Sequence, residues 1–140
     1  MATRLPALRQ PPIGFAHRGA RAHAPENTIE AFQLALRLGA TGLESDVWFT
    51  ADHRAVLDHD GFVGGRLRKA AIATLDRAAL PGHIPTLAEL YTACGQRFEL
   101  SLDVKDPAAV AEVIATARDQ GPECEGRLWL CHPDLDTVLG

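Results

Sequence analysis

Two acidic residues stand two positions apart inside an apolar run of this sequence. They are Glu44 and Asp46, in the segment LESDVW at residues 43–48. Because successive side chains of a β-strand point to opposite faces, this spacing places both carboxylates on one face of a strand. Buried like charges a few ångströms apart resist joint ionisation, so the pair is expected to share a proton, to meet a basic partner or to bind a hard metal ion through oxygen.

Two histidines follow short apolar runs on either side of the acidic pair. His17 follows Phe15 and Ala16, and His59 follows VLD at 56–58. An imidazole titrates near neutrality, so it exchanges protons readily at physiological pH. Each histidine alone would be explained as an ordinary hydrogen-bonded residue, but together with the two acids they indicate a metal-assisted acid/base site.

An acid and a lysine occur near the end of another apolar strand. In the segment FELSLDVK at 98–105, apolar and polar residues alternate, and Asp103 and Lys105 fall on the polar face. The only other lysine among the 14 basic residues is Lys69. A lysine ammonium is a compact point charge, so Lys105 is expected to meet a carboxylate or a phosphate. The alternative interpretation is a salt-bridge cluster of the acids with Arg18 and Lys105 that holds no metal.

The segments that carry these residues alternate between short apolar strands and helical stretches. This alternation is typical of βα units and a parallel sheet. The predicted strands are residues 13–17, 42–49, 55–58, 98–105 and 127–131, and helices are predicted to begin near residues 25, 85 and 106. Residues 61–81 are predicted to form a loop with one helical turn. Because the carboxyl ends of parallel strands meet at one edge, the acids, both histidines and the lysine are expected to converge there.

The starts of two helices carry capping residues. The PENT segment offers either Asn27 or Thr28 as the cap of the first helix. Glu26 is expected either to interact with the positive end of that helix or to orient the site. Thr86, followed three residues later by Glu89, predicts a capping box at the second helix.

The amino-acid composition limits the classes of protein to which this chain can belong. The chain has 140 residues and is 46% hydrophobic and 23% charged, which is ordinary for a globular protein of one domain with its own core. The formal net charge of -4 and the lack of a basic run argue against a nucleic-acid surface. No run approaches the ~18 apolar residues that span a bilayer, and no signal peptide is recognised, so we expect a cytoplasmic location. We divide the sequence into an N-terminal extension at 1–12 and one domain at 13–140.

Six short motifs occur in the order of a known family. They are HRG at 17–19, PENT at 25–28, ExD at 44–46, HD at 59–60, IPTL at 84–87 and DVK at 103–105. In order and spacing these motifs resemble the glycerophosphodiester phosphodiesterase family, and several motifs in one order are far more specific than a single pattern. The resemblance runs from residue 13 to about 136.

The resemblance implies an α/β fold, an incomplete TIM barrel of the (β/α)₈ type with about five parallel strands. It implies hydrolysis of a glycerophosphodiester, a small-molecule substrate, to glycerol 3-phosphate and an alcohol, with the aid of Ca²⁺ or Mg²⁺. The implied metal ligands are Glu44, Asp46 and Asp103, the general acid and base in either order are His17 and His59, the phosphate-binding residues are Arg18 and Lys105, and the supporting residues are Glu26, Asn27 and Asp60. Asp60 is expected to buttress the loop of His59.

Two features depart from the family's pattern. The family has glutamate where this chain has Asp103, so the carboxylate here is one methylene shorter. A (β/α)₈ barrel takes ~250 residues, so this chain is expected to be the N-terminal part of such a barrel. Because an unclosed sheet leaves strand edges unpaired, self-association through those edges is also expected.

Two other functions fit the same residues. One is a phospholipase D of the sphingomyelinase type, which resembles this family in its histidine pair and metal-binding acids. The other is a catalytically inactive truncated homologue, or an anion-binding subunit, that keeps the pocket without turnover.

Overall fold

The computed structural model describes residue 6 and residues 9–139. Its strands are β1 (Phe15–His17), β2 (Gly42–Phe49), β3 (Ala55–Leu57), β4 (Phe62–Val63), β5 (Ala70–Ala71), β6 (Glu99–Val104) and β7 (Leu128–Cys131). The five predicted strands are all present, and β2 has the predicted bounds. The predicted N-terminal extension at 1–12 lies largely outside the described residues.

Five α-helices lie within the described residues, and none of them is long and apolar enough to cross a membrane. They are α1 (Ile29–Arg37), α2 (Leu87–Cys94), α3 (Val110–Asp119), α4 (Pro122–Glu125) and α5 (Leu135–Leu139). Thr28, the second of the two predicted caps, accepts a hydrogen bond from the Ala31 N–H at 3.2 Å and so caps α1. The capping box of Thr86 and Glu89 is confirmed at α2.

Four strands run parallel in the order β1-β2-β6-β7. The longest pairing joins β2 to β6, from Gly42 opposite Glu99 to Val47 opposite Val104. β1 pairs with the first residues of β2, and β7 pairs with β6. Each parallel connection passes through at least one helix, as a crossover between parallel strands requires. The carboxyl ends of all four strands therefore lie on the same side of the sheet.

The fifth strand runs against the other four. β3 turns back from β2 and pairs with it antiparallel, with Leu57 opposite Val47. Since Val47 also pairs with Val104 of β6, β3 lies on the same flank of β2 as β1, beyond the point where β1 ends. The expected sheet of about five strands is confirmed, and β3 is antiparallel because the turn at 50–54 is too short for a parallel crossover.

The outer face of the sheet carries the main hydrophobic core. Phe32 of α1, Leu90 of α2 and Val113 of α3 pack with alternate residues of the two central strands, which are Leu43, Val47, Leu100, Leu102 and Val104. The intervening residues of these strands point to the opposite, inner face because side chains alternate. The polar residues of the predicted site therefore lie on the inner face.

Residues 61–81 are more structured than the predicted loop with one helical turn. β4 and β5 pair antiparallel, and two short 3₁₀ turns follow at Ile72–Thr74 and Arg77–Ala79. This segment packs on β3 in a second, smaller core that contains Val56, Ile72, Leu80 and Ile84. Strands of two residues each show too little periodicity to be recognised in the sequence.

Candidate active site

The central strand β2 places Glu44 and Asp46 at the inner face, as their spacing predicts. Glu44 lies opposite His17 of β1 in the register, and Asp46 lies opposite Asp103 of β6. Adjacent strands are about 4.8 Å apart, so these residues start from neighbouring backbone positions. The carboxylates of β2 and β6 and the imidazole of β1 thus share one patch of the sheet.

The chain turns sharply after β1 and brings its backbone to Glu44. The Arg18 N–H donates to both the Glu44 carbonyl and Glu44 Oε2, each at 3.0 Å. Arg18 and Gly19 both adopt positive φ, of 57° and 76°. A Cβ on Gly19 would lie 2.7 Å from the backbone carbon of Ala31, so the glycine permits close approach of the turn to α1.

Glu44 lies between a histidine and a backbone donor. His17 Nε2 is 3.8 Å from Glu44 Oε2, while the His17 side chain remains 58% exposed. Partial burial raises the pKa of Glu44, against the opposing effects of the Arg18 N–H and the His17 imidazole. Binding of a further positive charge near Glu44 would favour its ionised form.

Asp46 is the most buried acid of the site, with a side chain only 4% exposed. Its Oδ2 accepts a hydrogen bond from Asn27 Nδ2 at 3.2 Å and lies 3.5 Å from Arg18 Nε. The Arg18 contact is within ion-pair distance but does not have hydrogen-bond geometry. Asp46 Oδ1 lies 3.4 Å from Lys105 Nζ. Both oxygens of this carboxylate therefore face positive or donor groups.

Lys105 lies between the carboxylates of the two central strands. Its Nζ donates to Asp103 Oδ2 and also approaches Asp46. The hydrogen bond to Asp103 raises the pKa of Lys105; partial burial opposes this shift, and the charges of Asp103 and Asp46 add to it. A shared proton, a basic partner or a metal ion was expected to compensate the buried acids. In the described residues, a basic partner, Lys105, is present.

His59 reaches the site from the same flank of β2 as His17, through the loop after β3. The Asp58 N–H donates to the Asp46 carbonyl at 3.1 Å, so the loop after β3 begins beside the acidic residue. His59 Nδ1 lies 2.8 Å from Asp60 Oδ1, and the His59 side chain is 39% exposed. The tautomer that donates from Nδ1 to Asp60 leaves Nε2 as an acceptor.

Glu26 contacts the site through Arg18. Its carboxylate accepts hydrogen bonds from Arg18 Nη1 at 3.0 and 3.2 Å. With Asp46 on the Nε side, the Arg18 guanidinium is held between two acids. Glu26 also lines a cavity of about 730 Å³ together with Asp58 and His83, beside the loop of His59.

Ser45 belongs to the site although its sequence position did not indicate it. Its side chain is fully buried, and its hydroxyl donates to Asn27 Oδ1 at 2.8 Å. A polar residue flanked by two acids in a buried strand was a usable signal, because a buried hydroxyl requires a hydrogen-bond partner. Because side chains alternate along a strand, the spacing of Glu44 and Asp46 places Ser45 on the opposite face of β2, where the sequence predicts no site residue.

The donor set of the site fits a hard cation. Carboxylate oxygens are the ligands that Ca²⁺ and Mg²⁺ prefer, and Glu44, Asp46 and Asp103 supply them from adjoining strands. In residues 9–139, however, no three His, Cys, Asp or Glu side chains are gathered closely enough to hold a metal. The ammonium of Lys105 is instead the positive charge between Asp46 and Asp103.

The fold and the site together define a class of protein, the α/β proteins of TIM-barrel type that carry a charged site at the carboxyl ends of their strands. A family model described as the glycerophosphoryl diester phosphodiesterase family matches residues 17–112. The chain belongs to this family.

Individual relatives agree with this assignment. Glycerophosphodiester phosphodiesterase 1 of Mus musculus is 40% identical over 115 residues, which cover 69% of this chain and 35% of the mouse protein. A crystal structure of a glycerophosphodiester phosphodiesterase from Thermotoga maritima superposes with a TM-score of 0.79 and 29% identity, covering 90% of this chain and 56% of that one. A phosphodiesterase of Oleispira antarctica, in complex with the product sn-glycerol-3-phosphate, gives a TM-score of 0.69 and 26% identity, covering 79% of this chain and 53% of that one. The chain thus spans about a third of the mouse protein.

Proposed function

We propose that this protein hydrolyses glycerophosphodiesters to glycerol 3-phosphate and an alcohol. Membership of the family supports the proposal, as does the product named for the Oleispira antarctica relative. The observation that carries it is that β1, which ends at His17, and β3, which leads into the loop of His59, both pair with β2, the strand that bears Glu44 and Asp46. A phosphodiester needs groups that move protons and groups that neutralise negative charge, and both kinds lie here.

Glu44, Asp46 and Asp103 are the residues that would hold a divalent cation, Ca²⁺ or Mg²⁺. The cation supplies charge neutralisation at the phosphoryl oxygens when bound. The ammonium of Lys105, which lies near Asp46 and Asp103, would pair with an oxygen of the substrate phosphate, and its flexible four-carbon stem would allow it to reach that oxygen.

The two histidines divide the proton transfers. One imidazole accepts a proton from the attacking oxygen, and the other donates a proton to the leaving alkoxide. If water attacks, glycerol 3-phosphate forms directly; if the neighbouring glycerol hydroxyl attacks, a cyclic phosphate forms and water opens it in a second step. Asp60, beside Nδ1 of His59, favours the tautomer that keeps a proton on that nitrogen. His17 Nε2 lies 3.8 Å from Glu44 Oε2, beside the proposed ligands of the cation.

Arg18 orients the site as well as neutralising charge. Its backbone and side chain already contact Glu44, Glu26 and Asp46. A phosphate that enters beside Asp46 would exchange part of this ion pairing for contacts with its own oxygens. Glu26 then holds the guanidinium in place through Nη1.

The test is hydrolysis of glycerophosphocholine by the 140-residue chain, followed as release of glycerol 3-phosphate. We expect turnover that is abolished by EDTA, restored by Ca²⁺ or Mg²⁺, and lowered by about 10²-fold or more in His17→Ala and in His59→Ala. The matched control is His53→Asn at the tip of the β2–β3 hairpin, because asparagine tolerates the positive φ of 61° at that position. Turnover that survives EDTA and both alanine variants would contradict the proposal.

Two further outcomes identify the alternatives. Binding of glycerol 3-phosphate without turnover would identify an anion-binding protein. Faster cleavage of sphingomyelin than of glycerophosphocholine would identify a phospholipase D of the sphingomyelinase type.

The open edges of the described sheet, along β1 and β7, also support self-association of the chain.

A further inference from the structure

Three buried polar residues form a continuous chain of hydrogen bonds beneath the site. Ser45 Oγ donates to Asn27 Oδ1 at 2.8 Å, and Asn27 Nδ2 donates to Asp46 Oδ2 at 3.2 Å. All three are buried, with exposed fractions of 0%, 4% and 3% for Ser45, Asn27 and Asp46. Each member of such a buried chain fixes the orientation of the next, because an unpaired group there is costly.

The direction of the hydrogen bonds in this chain follows from the groups at its two ends. A carboxylate only accepts hydrogen bonds, so Asn27 must turn its NH₂ group toward Asp46. The amide oxygen of Asn27 then faces Ser45, whose hydroxyl can donate. A flipped amide would place an oxygen against the Asp46 carboxylate. Asp46 therefore selects this orientation of the Asn27 side chain, and the Ser45 hydroxyl completes it by donating to the amide oxygen.

The Asn27 side chain is free for this role because it caps no helix. Thr28 is the cap of α1. The backbone of Asn27 has a φ of 55°, in the left-handed region that asparagine tolerates better than most residues. Its N–H donates to the Arg18 carbonyl at 3.0 Å, which ties the turn after β1 to the start of α1. Both the left-handed backbone conformation and the hydrogen bond to Asp46 therefore favour asparagine at position 27.

We propose that Asn27 and Ser45 are positioning residues that fix the Asp46 carboxylate so that its Oδ1 faces the cation site. Asn27 occupies Oδ2, and Oδ1 is the oxygen turned toward Lys105 at 3.4 Å. The inference rests on the proposed function, in which Asp46 is a ligand of a divalent cation. Hydrogen-bond partners of metal ligands contribute about 10–100-fold to metal affinity.

The first test is calorimetric titration of Ca²⁺ into the chain and its variants. We expect Ser45→Ala to bind Ca²⁺ about 10-fold more weakly than the wild type, and Ser45→Thr, which keeps a hydroxyl, to regain most of the affinity. Thr28→Ala is the matched control, because it removes the cap of the same helix start and is expected to lower the melting temperature while leaving Ca²⁺ affinity unchanged. Equal affinity of Ser45→Ala and the wild type would overturn the proposal.

The second test needs no metal. The side-chain NH₂ of Asn27 is observed by ¹⁵N NMR, and its hydrogen exchange is expected to be slow in the wild type and in Thr28→Ala but fast in Ser45→Ala. Fast exchange in all three proteins would overturn the positioning role. Should the wild type bind no Ca²⁺ and yet show this exchange pattern, the metal part of the proposed function fails while the positioning of Asp46 stands.

Discussion

At the scale of single residues, the site is a balance between acids and the cations that compensate them. Asp46 is nearly fully buried and is approached by Arg18, Asn27 and Lys105. Glu44 is less completely compensated, and partial burial raises its pKa. A site of this kind costs folding stability because unlike charges must be desolvated together, and that cost is characteristic of functional sites.

Replacing Lys105 tests whether this lysine compensates the acids. Lys105→Met leaves Asp46 and Asp103 without the ammonium between them, so the metal-free protein is expected to lose about 1–3 kcal/mol of unfolding free energy. Added Ca²⁺ should then raise the melting temperature of the variant more than that of the wild type. Lys69→Met, at the only other lysine and on an exposed segment, is the control. Equal melting temperatures of the wild type and both variants in EDTA would contradict this account.

At the scale of elements, the motifs predicted the strands of the site better than the segments around them. The two-residue spacing of Glu44 and Asp46 fixed their common face, and the bounds of β2 were predicted correctly. The antiparallel direction of β3 was not predicted, because a period of two gives a strand but not its direction. The hydrogen bond from Ser45 to Asn27 joins residues 18 positions apart and could not be predicted without the fold.

The tip of the β2–β3 hairpin is held by Asp52. Its Oδ1 accepts hydrogen bonds from Thr50 Oγ1 at 2.6 Å and from the Arg77 N–H at 2.8 Å, and these lower the pKa of Asp52 below its ordinary value of 3.8. A carboxylate whose pKa is lowered by folding stabilises the protein above its unfolded-state pKa, and the contribution is lost as the pH falls through the folded-state pKa. Asp52→Asn should therefore melt at a lower temperature than the wild type at pH 7, with a difference that shrinks below pH 3.8. A difference of the same size at both ends of a pH series would contradict the ionic origin.

The loop that carries His59 depends on a glycine. Gly61 has a φ of 74°, and a Cβ there would lie 2.4 Å from the Trp48 ring. Gly61→Ala is expected to cost about 1–3 kcal/mol from backbone strain and overpacking and to lower turnover by displacing His59. Urea denaturation and the hydrolysis assay measure both effects. Gly82→Ala is the control, because among the described residues an added Cβ there meets no atom within 4 Å beyond its chain neighbours. Equal losses in the two variants would contradict a local cause.

At the scale of the whole molecule, the described sheet has helices on its outer face, a smaller core over β3 on its inner face, and two open edges. Helices pack on the outer face, whereas β1 pairs along its length only with β2, and β7 only with β6, among the described strands. Several large apolar side chains near these edges are exposed, among them Phe15 at 40%, Leu38 at 66%, Leu135 at 63% and Leu139 at 71%. Unpaired strand edges and exposed apolar groups favour association.

Sedimentation velocity at increasing protein concentration tests this association. We expect the sedimentation coefficient to rise with concentration, and the double variant Leu135→Lys with Leu139→Lys to weaken the rise. Leu67→Lys is the control, because Leu67 is 98% exposed but lies on the loop between β4 and β5, away from both edges. A single monomeric species across the concentration range would contradict the prediction.

One strand, β2, touches every part of the machinery: β1 with His17 and the β3 hairpin before His59 on one flank, and β6 with Asp103 on the other. Because the strands that carry or precede the proposed catalytic and metal-binding residues all pair with β2, we expect unfolding of β2 to disrupt these residues together. On heating, proton-transfer capacity and cation affinity should disappear together and at one temperature. Activity that persisted after the cation affinity had been lost would show that the strands around β2 unfold at different temperatures.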